Sequence, residues 1–237
     1  MYLIVSLLAG AFFLSFWMGY RRILRLQHLN QRRVLNGFVG AMVLLTLISL
    51  GQWLGLISQD IAAHFTMFLY CMVAGFFSGF AFKMISLKRA MHKTEYVYRS
   101  LWTDAAPNVI AILIIVFGIY RSGVLQFGPY TGIGITSGLS LLGFGFWGLT
   151  VKIVPEFRDK GILILDQCVN WKKVVAYRWE SENVLLIEYY TADDKLTDFT
   201  TYIPPENELQ IERLLAKKLK EYHQDRKEIM EQTKEEF

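Results

Sequence analysis

The sequence changes from apolar to charged at residues 151–152, and this change limits the folds that the chain can adopt. Residues 131–151 carry no charged side chain and contain six glycines, whereas the sequence from Lys152 onward is rich in charge and is interrupted by Pro155. An apolar stretch of this length is typical of a membrane-spanning helix. The 237 residues therefore predict a membrane domain over 1–154, a small cytoplasmic domain over 155–222 and a charged tail over 223–237.

Four further apolar stretches precede this one, so the first domain is predicted to be a bundle of five transmembrane helices. About twenty apolar residues are needed to cross the hydrocarbon layer of a bilayer. In the fourth and shortest stretch, Asp104 is predicted as a helix N-cap and Pro107 is predicted in the first turn. The five predicted spans cover about residues 2–20, 34–57, 65–85, 105–121 and 131–152.

The basic residues predict the orientation of the bundle. The loops after the first and third spans, counted with Lys83, carry ten Lys and Arg residues. The turns after the second and fourth spans carry only one, Arg121. Because basic loops remain in the cytoplasm, we expect the N-terminus outside and the C-terminal domain inside. The composition is that of a multi-pass membrane protein.

The overall charge of +4 conceals two unlike halves. Residues 1–154 hold twelve basic and three acidic residues, but residues 155–237 hold thirteen basic and eighteen acidic ones. A nucleic-acid-binding domain would concentrate basic residues on its soluble part. We therefore expect membrane lipids as partners, together with self-association or another membrane protein, and no nucleic acid.

The segment between the third and fourth spans combines cations with aromatic residues. Residues 88–102 read KRAMHKTEYVYRSLW. Such a segment is typical of an interfacial helix whose rings lie at the level of the lipid head groups. The alternative is a cytoplasmic extension of the third span.

After Gly161 the sequence predicts an α+β domain. Five short runs rich in β-branched and aromatic residues, with loops near 181–183 and 192–195, predict an antiparallel sheet. Pro205 can open a helix, and the apolar residues of 206–222 recur at intervals of three and four. These apolar residues are Ile211, Leu214, Leu215, Leu219 and Tyr222.

This second part resembles the small PH-like cytoplasmic domains of uncharacterised bacterial membrane proteins. The resemblance covers about residues 155–222 and does not extend to the membrane part. It implies a sheet followed by a C-terminal helix, in a truncated PH-like form, that binds a lipid, a peptide or another copy of itself. The residues that carry the resemblance are Lys160, Gly161, Ile162, Val169, Trp171, Tyr177, Trp179, Ile203 and Pro204.

Three pairs of glycines are candidates for close helix packing. In each pair the glycines are four residues apart, a spacing that lets the backbones of neighbouring helices approach. We expect packing within the bundle first, self-association between protomers second, and a glycine-lined permeation path last. The pairs are Gly51 and Gly55, Gly75 and Gly79, and Gly134 and Gly138.

The predicted sheet holds more aromatic residues than a core of this size needs, and alternation along its strands cannot turn all of them inward. We therefore interpret some of them as a surface for a partner or for the membrane, with Trp171, Trp179 and Tyr190 as its candidates.

The sequence contains none of the nucleophile-elbow, P-loop or zincin motifs, and its two cysteines and four histidines form no ligand spacing. We expect no catalytic site, no cofactor and no metal. The centres of the spans lack charge, which is unusual for a transporter. The sequence favours a non-enzymatic inner-membrane protein that is oligomeric or a subunit of a larger complex, with a cytoplasmic recognition or regulatory domain. The alternative is a ligand-gated pore or membrane-disrupting effector whose cytoplasmic domain is the sensor.

Overall fold

A computed structural model describes residues 2–23, 31–125, 130–152, 154–191 and 195–222. Parts of several predicted features lie outside these residues. They are the middle of the first basic loop (24–30), the turn before the fifth span (126–129), the tip of the second hairpin loop (192–194) and the charged tail (223–237).

Five helices of the described chain are long and apolar enough to cross a membrane, which confirms the predicted number of apolar helices. The fourth of these candidate spans begins with the π-helical turn Leu101–Ala105. A sixth helix is amphipathic and lies near the C-terminus. The helices are α1 (Tyr2–Tyr20), α2 (Gln31–Trp53), α3 (Gln59–Ala90), α4 (Ala106–Arg121), α5 (Gly132–Thr150) and α6 (Pro205–Glu221).

The chain forms two compact units, and each is discontinuous in sequence. The first unit comprises Met1–Ser86 and Leu101–Val151, and the second comprises Leu87–Ser100 and Lys152–Phe237. The chain therefore passes between the units three times, and the first passage lies within α3, whose last turn belongs to the second unit.

In the first unit, small residues let the helices approach one another closely. The Ser15 hydroxyl of α1 donates a hydrogen bond to the Met72 carbonyl of α3, at 2.6 Å. A Cβ added to Gly143 of α5 would lie 2.8 Å from the Ala74 carbonyl oxygen of α3, which is closer than side chains come. Between helices that span a membrane, close van der Waals packing of this kind is a main source of association.

The start of α4 differs from the prediction. The N-cap residue is Ala105 and makes no side-chain capping bond, whereas Asp104 lies in the preceding π-helical turn. The Asp104 carboxylate instead accepts a hydrogen bond from the Asn108 side chain at 3.2 Å. The N-cap assignment of Asp104 was therefore wrong, while Pro107 does lie in the first turn.

The second unit contains two antiparallel sheets and α6, so the predicted sheet with a C-terminal helix is confirmed. One sheet has the strand order β1-β2-β3-β4 and the other has the order β5-β6-β7. The described strands number seven, two more than the five runs that the sequence indicated. They are β1 (Thr94–Val97), β2 (Glu156–Arg158), β3 (Gly161–Ile164), β4 (Gln167–Asn170), β5 (Val174–Ser181), β6 (Val184–Tyr190) and β7 (Leu196–Tyr202).

One apolar core joins both sheets to α6. Ile211 and Leu215 of α6 are fully buried in this core, while Leu214, Leu219 and Tyr222 pack at its edge, as the spacing predicted. The buried members from the sheets and loops are Tyr96, Phe157, Ile162, Val169, Trp171, Val174, Leu185, Ile187, Tyr189 and Ile203.

Beyond Ala90, the segment 88–102 differs from both predictions. The third helix does extend to Ala90, but residues 94–97 form strand β1 rather than an interfacial helix. β1 pairs with β2 in antiparallel register, with Val97 opposite Glu156. Its Tyr96 side chain enters the core next to Phe157. The loop between two apolar helices therefore supplies a strand to the sheet of the second unit.

Candidate functional site

The outer face of the β1–β4 sheet carries the most unusual cluster of side chains in the second unit. Successive strand residues point to opposite faces, and Ile162 faces the core, so Glu156, Gly161, Leu163 and Cys168 lie on the outer face. The Cys168 Sγ atom lies 3.0 Å from the Sδ atom of Met91, which is 3% exposed. The chain that follows α3 therefore covers part of this face.

A carboxylate between two cations forms the centre of the cluster. Glu156 is 6% exposed, and its Oε1 accepts a hydrogen bond from the Lys88 ammonium at 2.8 Å. Its Oε2 accepts two bonds from the Arg158 guanidinium, from Nε at 2.9 Å and from Nη2 at 2.5 Å. Because both oxygens are paired, the buried charge is compensated on both sides.

The same guanidinium also caps α3. Arg158 Nη1 donates to the carbonyl oxygens of Lys88 at 2.9 Å and His92 at 3.0 Å. The last carbonyls of a helix have no partner within the helix and carry a partial negative charge, so a cation that binds them stabilises the helix end. His92, with a φ of 59°, adopts the left-handed conformation that is common where a helix ends.

The pKa of Glu156 reflects this environment. Burial alone would raise the pKa, but the hydrogen bonds and the positive charges of Lys88 and Arg158 outweigh burial and lower it. A carboxylate whose pKa is lower in the folded state stabilises the fold above its unfolded pKa of about 4.3, and this contribution is lost as the pH falls through the folded value.

We therefore expect the second unit to lose stability below about pH 4.3 through protonation of Glu156. Glu156→Gln should melt at a lower temperature than the wild type near neutral pH, and the difference should shrink as the pH falls. Thermal melts of the full chain in detergent across this range test the expectation. Glu182→Gln, at an exposed position in the β5–β6 loop, is the matched control and should melt like the wild type. A difference that does not change with pH would contradict the assignment.

A second charged group joins α6 to the same region. The Lys218 side chain is 3% exposed, and its ammonium lies 2.8 Å from Asp159 Oδ1 and 3.0 Å from Glu95 Oε1. It also donates to the carbonyl oxygen of Asp159 at 2.9 Å. Burial lowers the pKa of Lys218, but the bonds to the two acids outweigh burial and raise it, so this lysine remains charged.

The two groups together define what we call the junction: Lys88, Glu95, Glu156, Arg158, Asp159 and Lys218. It connects the last turn of α3, strands β1 and β2, and α6 through side-chain bonds. Its acids are paired with cations, and the described residues contain no group of three or more His, Cys, Asp or Glu side chains that could hold a metal. The arrangement is suited to holding elements together.

Sequence reasoning did not find the junction. Glu156 and Arg158 lie two residues apart, which places them on one face of a strand, but the strand itself was not predicted. The cations of residues 88–99 were assigned to an interfacial helix or to an extension of the third span. Lys218 was not identified as a candidate, although it follows Leu214 by four residues and therefore lies on the same helix face.

The predicted helix-packing glycines occupy different environments. A Cβ added to Gly75 or Gly79 of α3 would overlap the backbone carbonyl of Phe12 or Phe16 of α1, respectively. A Cβ added to Gly138 of α5 would lie 2.6 Å from the Gly118 carbonyl oxygen of α4. These glycines lie where two helices of the same chain come closest.

Of the other three glycines, Gly51 and Gly134 have neighbours close in sequence, and an added Cβ on Gly134 would also lie 3.3 Å from the Arg121 carbonyl oxygen of α4. A Cβ on Gly134 would lie 2.8 Å from the Thr131 hydroxyl, which caps α5 by accepting a bond from the Gly134 amide. A Cβ on Gly51 would meet only the Ile57 side chain. Gly55 has a φ of 72°, which places it in the left-handed region, and a Cβ there would meet nothing within 4 Å.

The three candidate surface aromatics separate into one core residue and two half-buried ones. Trp171 is fully buried, and its indole donates to the Arg158 carbonyl at 2.9 Å, so its assignment to a surface was wrong. The strand alternation that suggested an outward ring does not apply to Trp171, because it lies in the 3₁₀ turn after β4. Trp179 and Tyr190 are half-buried, and Trp179 donates to Glu212 of α6 at 3.0 Å.

Comparison with known proteins finds a similarity for one part of the chain, and this similarity indicates no function. Residues 152–220 match the family model DUF5673, a domain of unknown function. This match covers the region in which the sequence resembled PH-like domains, although the family carries no PH-like description. No curated protein and no solved structure matches the chain.

Proposed function

We propose that the protein is a non-enzymatic, multi-pass protein of a bacterial inner membrane whose cytoplasmic unit is a recognition or regulatory module. The observation that carries the proposal is the junction. The second unit includes the last turn of α3 within its fold, and α3 is also a candidate span. A ligand or partner that changes the packing around Glu156 and Arg158 would therefore act on a helix of the first unit.

The proposed orientation has the N-terminus outside and the second unit in the cytoplasm. Support comes from the unequal distribution of Lys and Arg between the loops. Single cysteines at Ser58 and Ser181 of a chain in which Cys71 and Cys168 are replaced by serine test this arrangement. In intact cells a membrane-impermeant maleimide should label the Ser58 position and not the Ser181 position. The reverse pattern would refute the orientation.

A PH-like architecture of the second unit is part of the proposal. A full PH barrel has more strands than the five runs seen in the sequence, and two additional strands, β1 and β2, bring the described total to seven. With α6 at the C-terminus, this favours a more complete PH-like module than the sequence suggested. Such modules present surfaces to lipids, peptides or one another, and the fold does not select among these.

We expect the recognition surface to include Trp179 and Tyr190. Tyr190 is half-buried and is paired in the sheet with Leu196, which is 58% exposed. Trp179 is half-buried at the edge of the core, opposite Leu185, so only the part of its ring that remains exposed can contribute. Large aromatic side chains contribute disproportionately to binding surfaces. Replacing both residues with alanine should reduce the amount of any partner that co-purifies from native membranes by roughly tenfold or more.

A matched control is Leu209→Ala on α6, an exposed apolar residue that is 59% exposed and outside the proposed surface. The control should retain the partner. If the double alanine variant melted like the wild type and retained the full amount of partner, Trp179 and Tyr190 would be excluded from the surface.

The mass of the complex tests the function itself. The full chain, purified gently from its native membrane, should be part of a particle larger than one 27.4 kDa protomer with its detergent. A stoichiometric second protein supports a role as a subunit or scaffold and identifies the process. A homo-oligomer supports self-association, and a monomer that retains no partner would refute the proposal.

The alternative is a ligand-gated pore or membrane-disrupting effector with the second unit as its sensor. Its support is that the chain passes between the units three times, which would transmit a movement to α3, α4 and α5. Against it, Gly138, Gly143 and Gly145 of α5 lie against α4 or α3 of the same chain. A homo-oligomer that conducts ions in planar bilayers when a ligand is added would favour the pore.

A further inference from the structure

The segment between α3 and α4 carries more cations than the junction uses. Residues 87–100 contain four cations, Lys88, Arg89, Lys93 and Arg99, and one acid, Glu95. Lys88 is paired with Glu156, and Glu95 is paired with Lys218 of α6. The only acid of the segment is therefore engaged elsewhere, and three cations remain.

These three cations are exposed. Arg89, Lys93 and Arg99 all face solvent, and within the described part of the chain none of them forms an ion pair. We call them the loop cations. Because buried Lys218 neutralises the charge of Glu95, this acid does not offset the loop cations, and the potential around them is more positive.

Capping of α3 does not account for the loop cations. Basic residues are common at the ends of helices because they bind the last carbonyls. Here Arg158, from β2, occupies this position and binds the carbonyls of Lys88 and His92. Arg89 and Lys93 are consequently available for another anion.

The position of the loop cations in the sequence indicates which kind of anion they bind. Arg89 lies in the last turn of α3, and only Ser100 separates Arg99 from the candidate span Leu101–Arg121. The cations therefore follow one membrane-spanning helix and precede the next, within a few residues of both. Cations at such positions lie at the level of the lipid head groups, where each contributes roughly fivefold to the binding of anionic lipid.

We propose that Arg89, Lys93 and Arg99 form a binding surface for the head groups of anionic phospholipids. The head-group phosphates bind the two guanidinium groups and the ammonium, while the junction holds β1 so that the cations on either side of it keep their places. The surface uses the orientation given under the proposed function, but binding to it is measured independently of orientation and of any protein partner.

The experiment compares lipid binding to two charge-matched variants of the full chain. In one, Arg89, Lys93 and Arg99 are replaced by glutamine. In the other, the exposed cations Arg213, Lys217 and Lys220 of α6 are replaced by glutamine, which removes the same charge from a helix without an adjacent span. Each protein is titrated in detergent at low salt with phosphatidylglycerol or phosphatidylcholine, and bound lipids are counted by native mass spectrometry.

The wild type and the α6 variant should bind phosphatidylglycerol in preference to phosphatidylcholine. The loop variant should lose this preference, with an affinity for phosphatidylglycerol weaker by roughly 100-fold if each cation contributes about fivefold. Equal binding of the two lipids by the wild type, or an equal loss in the two variants, would overturn the proposal. So would loss of an acidic protein partner from the loop variant with lipid binding unchanged.

Discussion

Replacing Arg158 with alanine should destabilise the second unit by about 3–5 kcal/mol, because it leaves the buried carboxylate of Glu156 with one cation instead of two. The substitution also removes the cap from the carbonyls of Lys88 and His92. Since a domain of this size is stable by about 5–15 kcal/mol in total, the loss is a large part of its stability. Hydrogen–deuterium exchange should report the change in β2 and in residues 87–92.

Two further variants separate the role of Arg158 from a general effect of charge. Arg178→Ala removes an exposed arginine from β5 and should change stability by less than about 0.5 kcal/mol. Arg158→Lys retains the charge but not the fork that binds both Glu156 and the α3 carbonyls, so it should be intermediate. If Arg158→Ala melted like Arg178→Ala, the junction would not hold the unit together.

The double substitution Gly75→Ala and Gly79→Ala should separate α1 from α3 and destabilise the first unit by about 1–3 kcal/mol for each methyl group. Each new Cβ would overlap a backbone carbonyl of α1, and a backbone cannot move aside as a side-chain end can. The thermal midpoint of the detergent-solubilised chain should fall, and proteolysis within the bundle should become faster.

Gly10→Ala is the control for the glycine pair. Gly10 lies in the middle of α1, and a Cβ there would meet nothing within 4 Å. Because alanine is the better helix former, this variant should be as stable as the wild type or slightly more stable. Unchanged stability of the Gly75 and Gly79 variant would mean that α1 does not pack closely on α3.

The elements predicted well are those whose signal is local and repeated. Long uncharged stretches identified the five apolar helices. The spacing of Ile211 and Leu215 identified α6 and the face that it buries. In both cases many residues support the same assignment, so one residue that departs from the pattern does not change the predicted helix.

The features that were missed depend on partners distant in the sequence. β1 has four residues and β2 has three, and each is a strand only because it pairs with the other or with β3. Lys218 is buried because Glu95 of β1 and Asp159, both distant in the sequence, neutralise it. No periodicity within the segment reports such a pairing, and the single sequence contains no record of which distant residues meet.

Trp171 illustrates the same limit within the core. Alternation along a strand predicted that some rings of the sheet face outward, and the composition supported this. The residue instead lies in a short 3₁₀ turn, where alternation gives no direction, and its ring fills the space beside Phe157. The turn is capped by the Asn170 side chain, which accepts a bond from the Lys172 amide, and this cap was the available local signal.

The discontinuous origin of the β1–β4 sheet has a consequence for biosynthesis. A ribosome makes β1 first and must then complete α4 and α5 before β2 exists, a delay of roughly 3–12 s for about 60 residues at ordinary rates of translation. During this interval the future edge strand has no neighbour, and its exposed backbone could pair with other chains. In the membrane arrangement that we propose, insertion of α4 and α5 precedes completion of the sheet. A chain whose insertion fails would then also have an unfinished domain that quality-control proteases can recognise.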